Sequence, residues 1–331
     1  MSAMKPKRDP ERLTVAVPDP YSPDLLKVLR DGVPSGWTLL TPDSSGQTAD
    51  FSSADVIFAM WNPVSRETIE AIPALQLVQK LGAGVDRIDL DAAKENEVAV
   101  ARLFGINAVA VAEHIMMFIL ASLRNLPVTQ AKLLEGGWHK EEARSYQREL
   151  RGKTVGLIGV GNVGQEVAKR LAPFEATTIY YDVNPLDSAT AESLQVRRTG
   201  LDELLREADI ISLHVPLIPE TRHLINRSRI ELMKPGAIVV NCARGGLIDE
   251  QALKEALESG RIASAALDTF AEEPITDLGL IRLENVIATP HAAGATKDNF
   301  VRVVAKAVEN AKQYASGKGL PVTDAVYVPP V

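Results

Sequence analysis

Apolar positions along this chain fall into short runs separated by polar stretches with helical spacing. LTVAV (13–17), ADVIFA (54–59) and LQLVQKLG (75–82) form a first series of strand-like runs. A second series is clearer: TVGLIG (154–159), TTIYYD (177–182), ADIISLHV (208–215), AIVVNCA (237–243), ASAALD (263–268) and VIATP (286–290). Nearly continuous apolar runs of this length, ending in turn residues, are expected of parallel strands covered on both faces. Helices fit between them: DEQALKEALESG (249–260) opens on an Asp cap and stops at Gly260. Alternating strand and helix predicts an α/β fold, and two series predict two α/β units. The apolar stretch Ala108–Leu123 lies between the series and reads as a helix and a hinge; Glu113 and His114 within it argue for a core helix beside a site, not a membrane span. After Asn299 a further helix (FVRVVAKAVENAKQYASG) leads into a proline-containing tail.

Composition adds bounds. The 331 residues suit about two domains. With 46% hydrophobic and 24% charged residues the chain is globular, not disordered. The net charge of −7 has the wrong overall sign for nucleic acid. The single cysteine, Cys242, excludes an internal disulfide framework and fits a reducing, cytoplasmic setting. Residues 1–12 are polar and basic and read as a disordered tail, not a secretory signal. No histidine pair has metal-ligand spacing with cysteines, so no metal is expected.

The chemistry starts at Gly159-Val160-Gly161-Asn162-Val163-Gly164, a GxGxxG turn that follows a strand and opens the helix QEVAKRLAPF. The next strand ends in Asp182, 18 residues beyond Gly164. Gly159 permits the tight turn, Gly161 lets backbone approach a pyrophosphate, and Gly164 lets helix lie against sheet. The helix N-terminus offers its free N–H groups to phosphate. A carboxylate at 182 would accept from ribose hydroxyls and repel a 2′-phosphate, and no Arg or Lys follows it directly, so NAD is favoured over NADP. A glycine-rich turn in a nucleotide-free domain is the competing explanation.

Arg244, Glu273 and His291 each stand just beyond a strand of the second series, where an open parallel sheet lines its ligand crevice. A guanidinium clamps a carboxylate, an imidazole exchanges a proton near neutral pH, and a carboxylate holds the imidazole. Beside a nicotinamide this set suits interconversion of a 2-oxo acid and a 2-hydroxy acid. For Arg244 and Glu273 the alternative is a structural ion pair. His114 reads as a buried, hydrogen-bonded helix residue, and His139 and His223 as surface residues.

With these motifs together, LGAGVDRIDL (81–90), NAVAVAEH (107–114), GVGNVG, LHVPLIPETRHLI (213–225), NCARGG, LDTFAEEP and TPHAAG, the sequence resembles the D-isomer-specific 2-hydroxyacid dehydrogenase family over most of its length. The resemblance implies a Rossmann-type doubly wound sheet at 104–295, and a smaller flavodoxin-like substrate domain built from 1–103 and a returning helix and tail at 296–331. It implies a homodimer. Arg244 becomes the substrate clamp, His291 the acid/base, Glu273 its orienting partner, and the backbone N–H groups of Ala83 and Gly84 the holders of the substrate carboxylate. Cofactor contacts are implied at the glycine turn with Asn162 and Val163, at Asp182, His214, Pro216, Thr221, Cys242, Ala243 and Gly294, and at Asp268, which would meet the nicotinamide amide.

Departures narrow the substrate. Phosphoglycerate-specific relatives carry an Arg-Ser type pair after the strand near residue 58, where this chain has Met60-Trp61-Asn62-Pro63. The missing arginine and the Trp61 ring point to glyoxylate, hydroxypyruvate or an aliphatic 2-oxo acid, while nearby Arg66 keeps a phosphoglycerate dehydrogenase-like activity as the alternative. Formate dehydrogenases of this superfamily place glutamine where Glu273 sits, which argues against that activity. No regulatory domain is expected after residue 331. Trp138 either reaches a substrate pocket across a dimer interface or is a core residue. An NAD(H)-sensing corepressor-like protein is the non-enzymatic alternative.

Overall fold

A computed structural model of the chain describes residues 8–42 and 50–330. The chain divides into two compact units, Met1–Asn107 with Thr296–Val331, and Ala108–Ala295. The first cut falls four residues later than the sequence pattern places it. Phe104 N–H donates to Asp324 Oδ1 at 3.3 Å and Ile106 packs into the first unit's core, so 104–107 belong with that unit.

The first unit is a six-stranded sheet built from β1 (Thr14–Ala16), β2 (Thr38–Leu40), β3 (Val56–Ala59), β4 (Leu77–Lys80), β5 (Ala99–Ala101) and a late strand, Ala325–Tyr327. Their order, counting the late strand first, is late–β5–β4–β3–β1–β2, parallel except for the late strand, which runs antiparallel to β5. The five parallel strands thus have the 2-1-3-4-5 order of flavodoxin-like sheets. The helix Lys297–Ala315 buries Phe300, Val303, Val304 and Ala307 against Val15, Phe58 and Leu77. Residues 1–7 of the expected disordered tail lie outside the described residues. Residues 8–12 are tied down instead: Arg8 pairs with Asp55 at 2.8 Å, Pro10 O accepts from Trp37 Nε1 at 3.0 Å, and Glu11 pairs with Lys312.

The second unit carries β6 (Thr154–Ile158), β7 (Thr177–Tyr181), β8 (Val196–Arg198), β9 (Ile210–Leu213), β10 (Ala237–Asn241), β11 (Ile262–Leu267) and β12 (Val286–Ala288); the late strand of the first unit is β13. The seven-stranded sheet is parallel, in the order β12–β11–β10–β9–β6–β7–β8. The order reverses between β6 and β9, the switch point where doubly wound sheets bind ligands. Both faces are covered, which is why the strands read as unbroken apolar runs. On β10, Ile238 and Val240 join one layer with Ile115, Phe118 and Val167, while Ala237 and Val239 join the other with Leu204, Leu253 and Leu257. The helix Ala108–Leu123 buries ten of its sixteen residues, and among the described residues no single helix is long and apolar enough to cross a membrane.

Candidate active site

The turn after β6 behaves as its glycines demand. Gly159 sits at φ +100, and a Cβ there would meet the His214 carbonyl at 2.9 Å. A Cβ on Gly164 would lie 2.3 Å from Gly159 O, so the helix Asn162–Leu171 approaches the turn as only glycine allows. Gly161 caps that helix with no side chain, leaving the N–H groups of Asn162 and Val163 unoccupied by a cap, and a Cβ on Gly161 would meet nothing within 4 Å. Uncapped N–H groups, open space at the cap and a short turn fit a dinucleotide's pyrophosphate. Asp182 Oδ2 accepts from Val160 N–H and Oδ1 from Asn184 N–H, both at 2.8 Å, which ties the end of β7 to the turn. Each oxygen keeps a further lone pair for a ribose hydroxyl.

Other expected cofactor contacts lie in the same unit. His214 lies behind it; burial pushes its imidazole down to about 3, and Nε2 has no partner. The ring is neutral and does no proton chemistry at ordinary pH. Thr221 Oγ1 donates to Pro216 O at 2.6 Å and accepts from Ile218 N–H, closing the 216–221 loop. Burial, then the charge of Asp268, pushes the Cys242 thiol up, so it stays protonated and unreactive.

Three loops beyond β10, β11 and β12 bear the reactive residues. At the end of β10, buried Asn241 accepts from Ala243 N–H at 3.0 Å and donates to Arg244 O at 2.9 Å, which sets the path of the arginine loop. Arg244 Nη1 donates to Ala243 O at 2.7 Å. Gly245 then packs directly on the next loop: a Cβ there would sit 1.9 Å from the Phe270 carbonyl carbon. In that loop Glu273 Oε1 accepts from Phe270 N–H at 3.1 Å, and Oε2 meets His291 Nδ1 at 2.9 Å. The ring of His291 is about half exposed, and with Nδ1 donating to Glu273 its Nε2 remains for proton exchange. His291 has φ +51, a left-handed conformation that a non-glycine residue adopts only when its surroundings impose it.

Asp268 imposes it. Fully buried, it accepts from Thr289 Oγ1 (2.5 Å) and Ala292 N–H (2.7 Å) on Oδ1, and from Ala293 N–H (2.9 Å) on Oδ2, while its own carbonyl accepts from His291 N–H. Asp268, expected as a nicotinamide contact, thus has a scaffold role that the sequence did not indicate. His114 Nε2 adds a contact to Thr289 Oγ1 at 3.1 Å, with its ring edge-on to Phe118, and burial lowers its pKa. Gly294 lies in the turn that follows His291.

Arg244, Glu273 and His291 therefore belong to one unit, with the loops of the first two in contact and the last two hydrogen-bonded. Ala83 and Gly84 belong to the other unit, in the bend after β4. There Trp61 leans on Tyr21 with ring centroids 5.3 Å apart, and buried Asp19 accepts from the N–H groups of Met60, Trp61 and Asn62. Arg66 is held by Glu95 at 2.5 Å and by Glu70 at 3.3 Å. Trp138 is 82% exposed and is not a core residue. Asn241 escaped the sequence reading, although a polar residue closing an apolar run was a visible sign.

A family model described as "D-isomer specific 2-hydroxyacid dehydrogenase, NAD binding domain" matches residues 116–293. A D-3-phosphoglycerate dehydrogenase of Methanocaldococcus jannaschii is 42% identical over 86% of this chain and 54% of its own length. The chain spans about half the length of the D-3-phosphoglycerate dehydrogenases it matches. A hydroxypyruvate reductase of Thermotoga maritima is 45% identical over 74% of this chain and 79% of that protein. Among solved structures, an NAD-dependent formate dehydrogenase from Staphylococcus aureus in complex with NAD is similar at TM-score 0.82 and 29% identity, covering 96% of this chain and 99% of that one. A glyoxylate reductase from Paecilomyes thermophila is similar at TM-score 0.78 and 27% identity, covering 95% and 98%.

Proposed function

The chain belongs to the D-isomer-specific 2-hydroxyacid dehydrogenase family, and from that premise we propose that it interconverts a small 2-oxo acid and its D-2-hydroxy acid with NAD(H). The observation that carries the reading is the His291–Glu273 pair at 2.9 Å, held on a left-handed backbone in the unit that also bears the uncapped helix after GxGxxG. A bound nicotinamide dinucleotide supplies the hydride. His291 gives the Nε2 proton to the substrate oxygen as the oxo acid is reduced and takes it back in the reverse direction. Glu273 holds Nδ1, fixes the ring and stabilises the imidazolium. Arg244 binds the anionic substrate and polarises its carbonyl. The carboxylate at 182 favours NAD over NADP.

Unphosphorylated acids, glyoxylate and hydroxypyruvate, fit best: Met60-Trp61-Asn62 carries no cation, and Arg66 is already paired with Glu95 and Glu70. Phosphoglycerate is the second reading, favoured by the 42% identical relative. We further propose a homodimer. Met117, Leu126, Leu133, Leu134 and Trp138 expose apolar surface along one stretch of the second unit, as an unburied interface would; light scattering that gives the monomer mass at micromolar concentration refutes this.

Rates on glyoxylate, hydroxypyruvate and 3-phosphohydroxypyruvate with NADH decide the substrate. His291→Ala should lose turnover by about three orders of magnitude or more while NADH still quenches protein fluorescence with near-normal affinity. Tight NADH binding with no turnover of any acid by the unaltered chain would return the sensor reading.

A further inference from the structure

The arginine loop and the glutamate turn meet at Phe270, on the two consecutive peptides that flank it. Gly245 packs on its carbonyl, and Glu273 accepts from Phe270 N–H. The neighbouring N–H, that of Ala271, donates to Glu250 Oε1 at 2.7 Å. Glu250 is the first residue of the helix Glu250–Glu258 and is not needed to cap it, because Asp249 already does so by accepting from Ala252 N–H at 3.1 Å. Its side chain reaches across to the adjacent loop instead. We propose that Glu250 is a positioning residue for the Glu273–His291 pair, its carboxylate latching the Phe270–Ala271 peptide so that the glutamate turn and the arginine loop keep their mutual placement.

The placement is costly, as expected of a site-directed group and not of a surface cap. Burial, together with the nearby Glu273 carboxylate, raises the Glu250 carboxyl above the ordinary glutamate value, against the lowering effect of the Ala271 N–H and of His223. The hydrogen bond from Ala271 N–H offsets part of that cost. Glutamine keeps the acceptor and removes the charge; alanine removes both.

The inference rests on the dehydrogenase reading, so the test has one arm with turnover and one without it. In Glu250→Ala, kcat should fall about tenfold or more, since misplacement of reacting groups by a fraction of an ångström has effects of that size. KM for NADH should stay within about twofold, because the glycine turn is untouched. Glu250→Gln should restore kcat to within about threefold of the parent. Hydrogen–deuterium exchange of the segment 268–273 should be faster in Glu250→Ala and unchanged in Glu250→Gln. Parent-like kcat in Glu250→Ala overturns the proposal, as does equal loss in both variants, or unchanged exchange in Glu250→Ala. If the parent turns over no acid, the dehydrogenase reading fails and exchange alone decides the latch.

Discussion

Gly245→Ala perturbs the junction of the Arg244 and Glu273 loops by one methyl group. The backbone at 245 is not left-handed, so the effect is one of volume alone. The added Cβ would lie 1.9 Å from the Phe270 carbonyl carbon and 2.3 Å from both Phe270 O and Ala271 N. Ordinary carbon contacts begin near ~3.5 Å, so the loops must part by roughly 1.5 Å. Backbone atoms cannot rotate aside as a long side chain does. A misplacement of about 1 Å costs on the order of 10²-fold in rate, or ~2.7 kcal/mol of transition-state stabilisation. Overpacking of this kind also costs about 1–3 kcal/mol of stability, which lowers the melting temperature of a unit this size by roughly 2–12 °C. Steady-state reduction of glyoxylate and hydroxypyruvate followed by NADH absorbance, NADH fluorescence titration and thermal circular dichroism measure the three effects separately. Turnover should fall at least ~10²-fold with NADH affinity within about threefold. Turnover within about threefold of the parent, with an unchanged melting temperature, would refute the reasoning that Gly245 sets the distance between the Arg244 and Glu273 loops.

Asp182→Ala removes the acceptor for Val160 and Asn184 N–H and the charge opposed to a 2′-phosphate; the preference for NADH over NADPH in kcat/KM should fall about tenfold, ~1.4 kcal/mol, and an unchanged ratio counts against the role. His214 has its pKa lowered by burial from 6.5 to about 3, so the unfolded chain binds its proton more tightly and stability rises with pH through this window. The contribution is complete above pH 6.5 and is lost progressively as pH falls towards 3, amounting to about 2 kcal/mol at pH 5. Glutamine cannot take up this proton, so His214→Gln should lose less melting temperature between pH 7 and pH 5 than the parent; half-buried His114 has the same sign and leaves a remainder. Equal losses in both proteins would refute the assignment.

Local demands were legible in the sequence. The GxGxxG turn could be read because a positive φ at 159 and the approach of helix to turn at 164 exclude every side chain, and the spacing records that exclusion. The helix 250–258 could be read because Asp249 and Gly260 mark its ends. Strands β2, β5, β8 and β13 went unread: each has three residues, too few to show a period, and β1 and β12, equally short, were legible only within the longer runs LTVAV (13–17) and VIATP (286–290). Proline-containing tail sequence gave no sign that 325–327 would pair antiparallel with β5. Trp138 and Arg66 were open to opposite readings because composition does not reveal exposure or pairing.

The residues that place the chemistry were the hardest to foresee, for a physical reason. Arg244, Glu273 and His291 announce themselves by type, since few side chains bind anions or exchange protons near neutral pH. Asn241, Asp268 and Glu250 act by receiving or supplying backbone hydrogen bonds over separations of two to 25 residues, and any short polar side chain in a loop has the same composition. Their importance lies in which amide they meet. The anion site proposed for a chain of net charge −7 follows the same rule: a guanidinium and the amides of an uncapped helix act at short range and in a fixed direction, which a count of surface charge does not record. Charge counted along a sequence predicts the company a protein keeps at long range, and hydrogen bonds assembled by the fold decide what it holds.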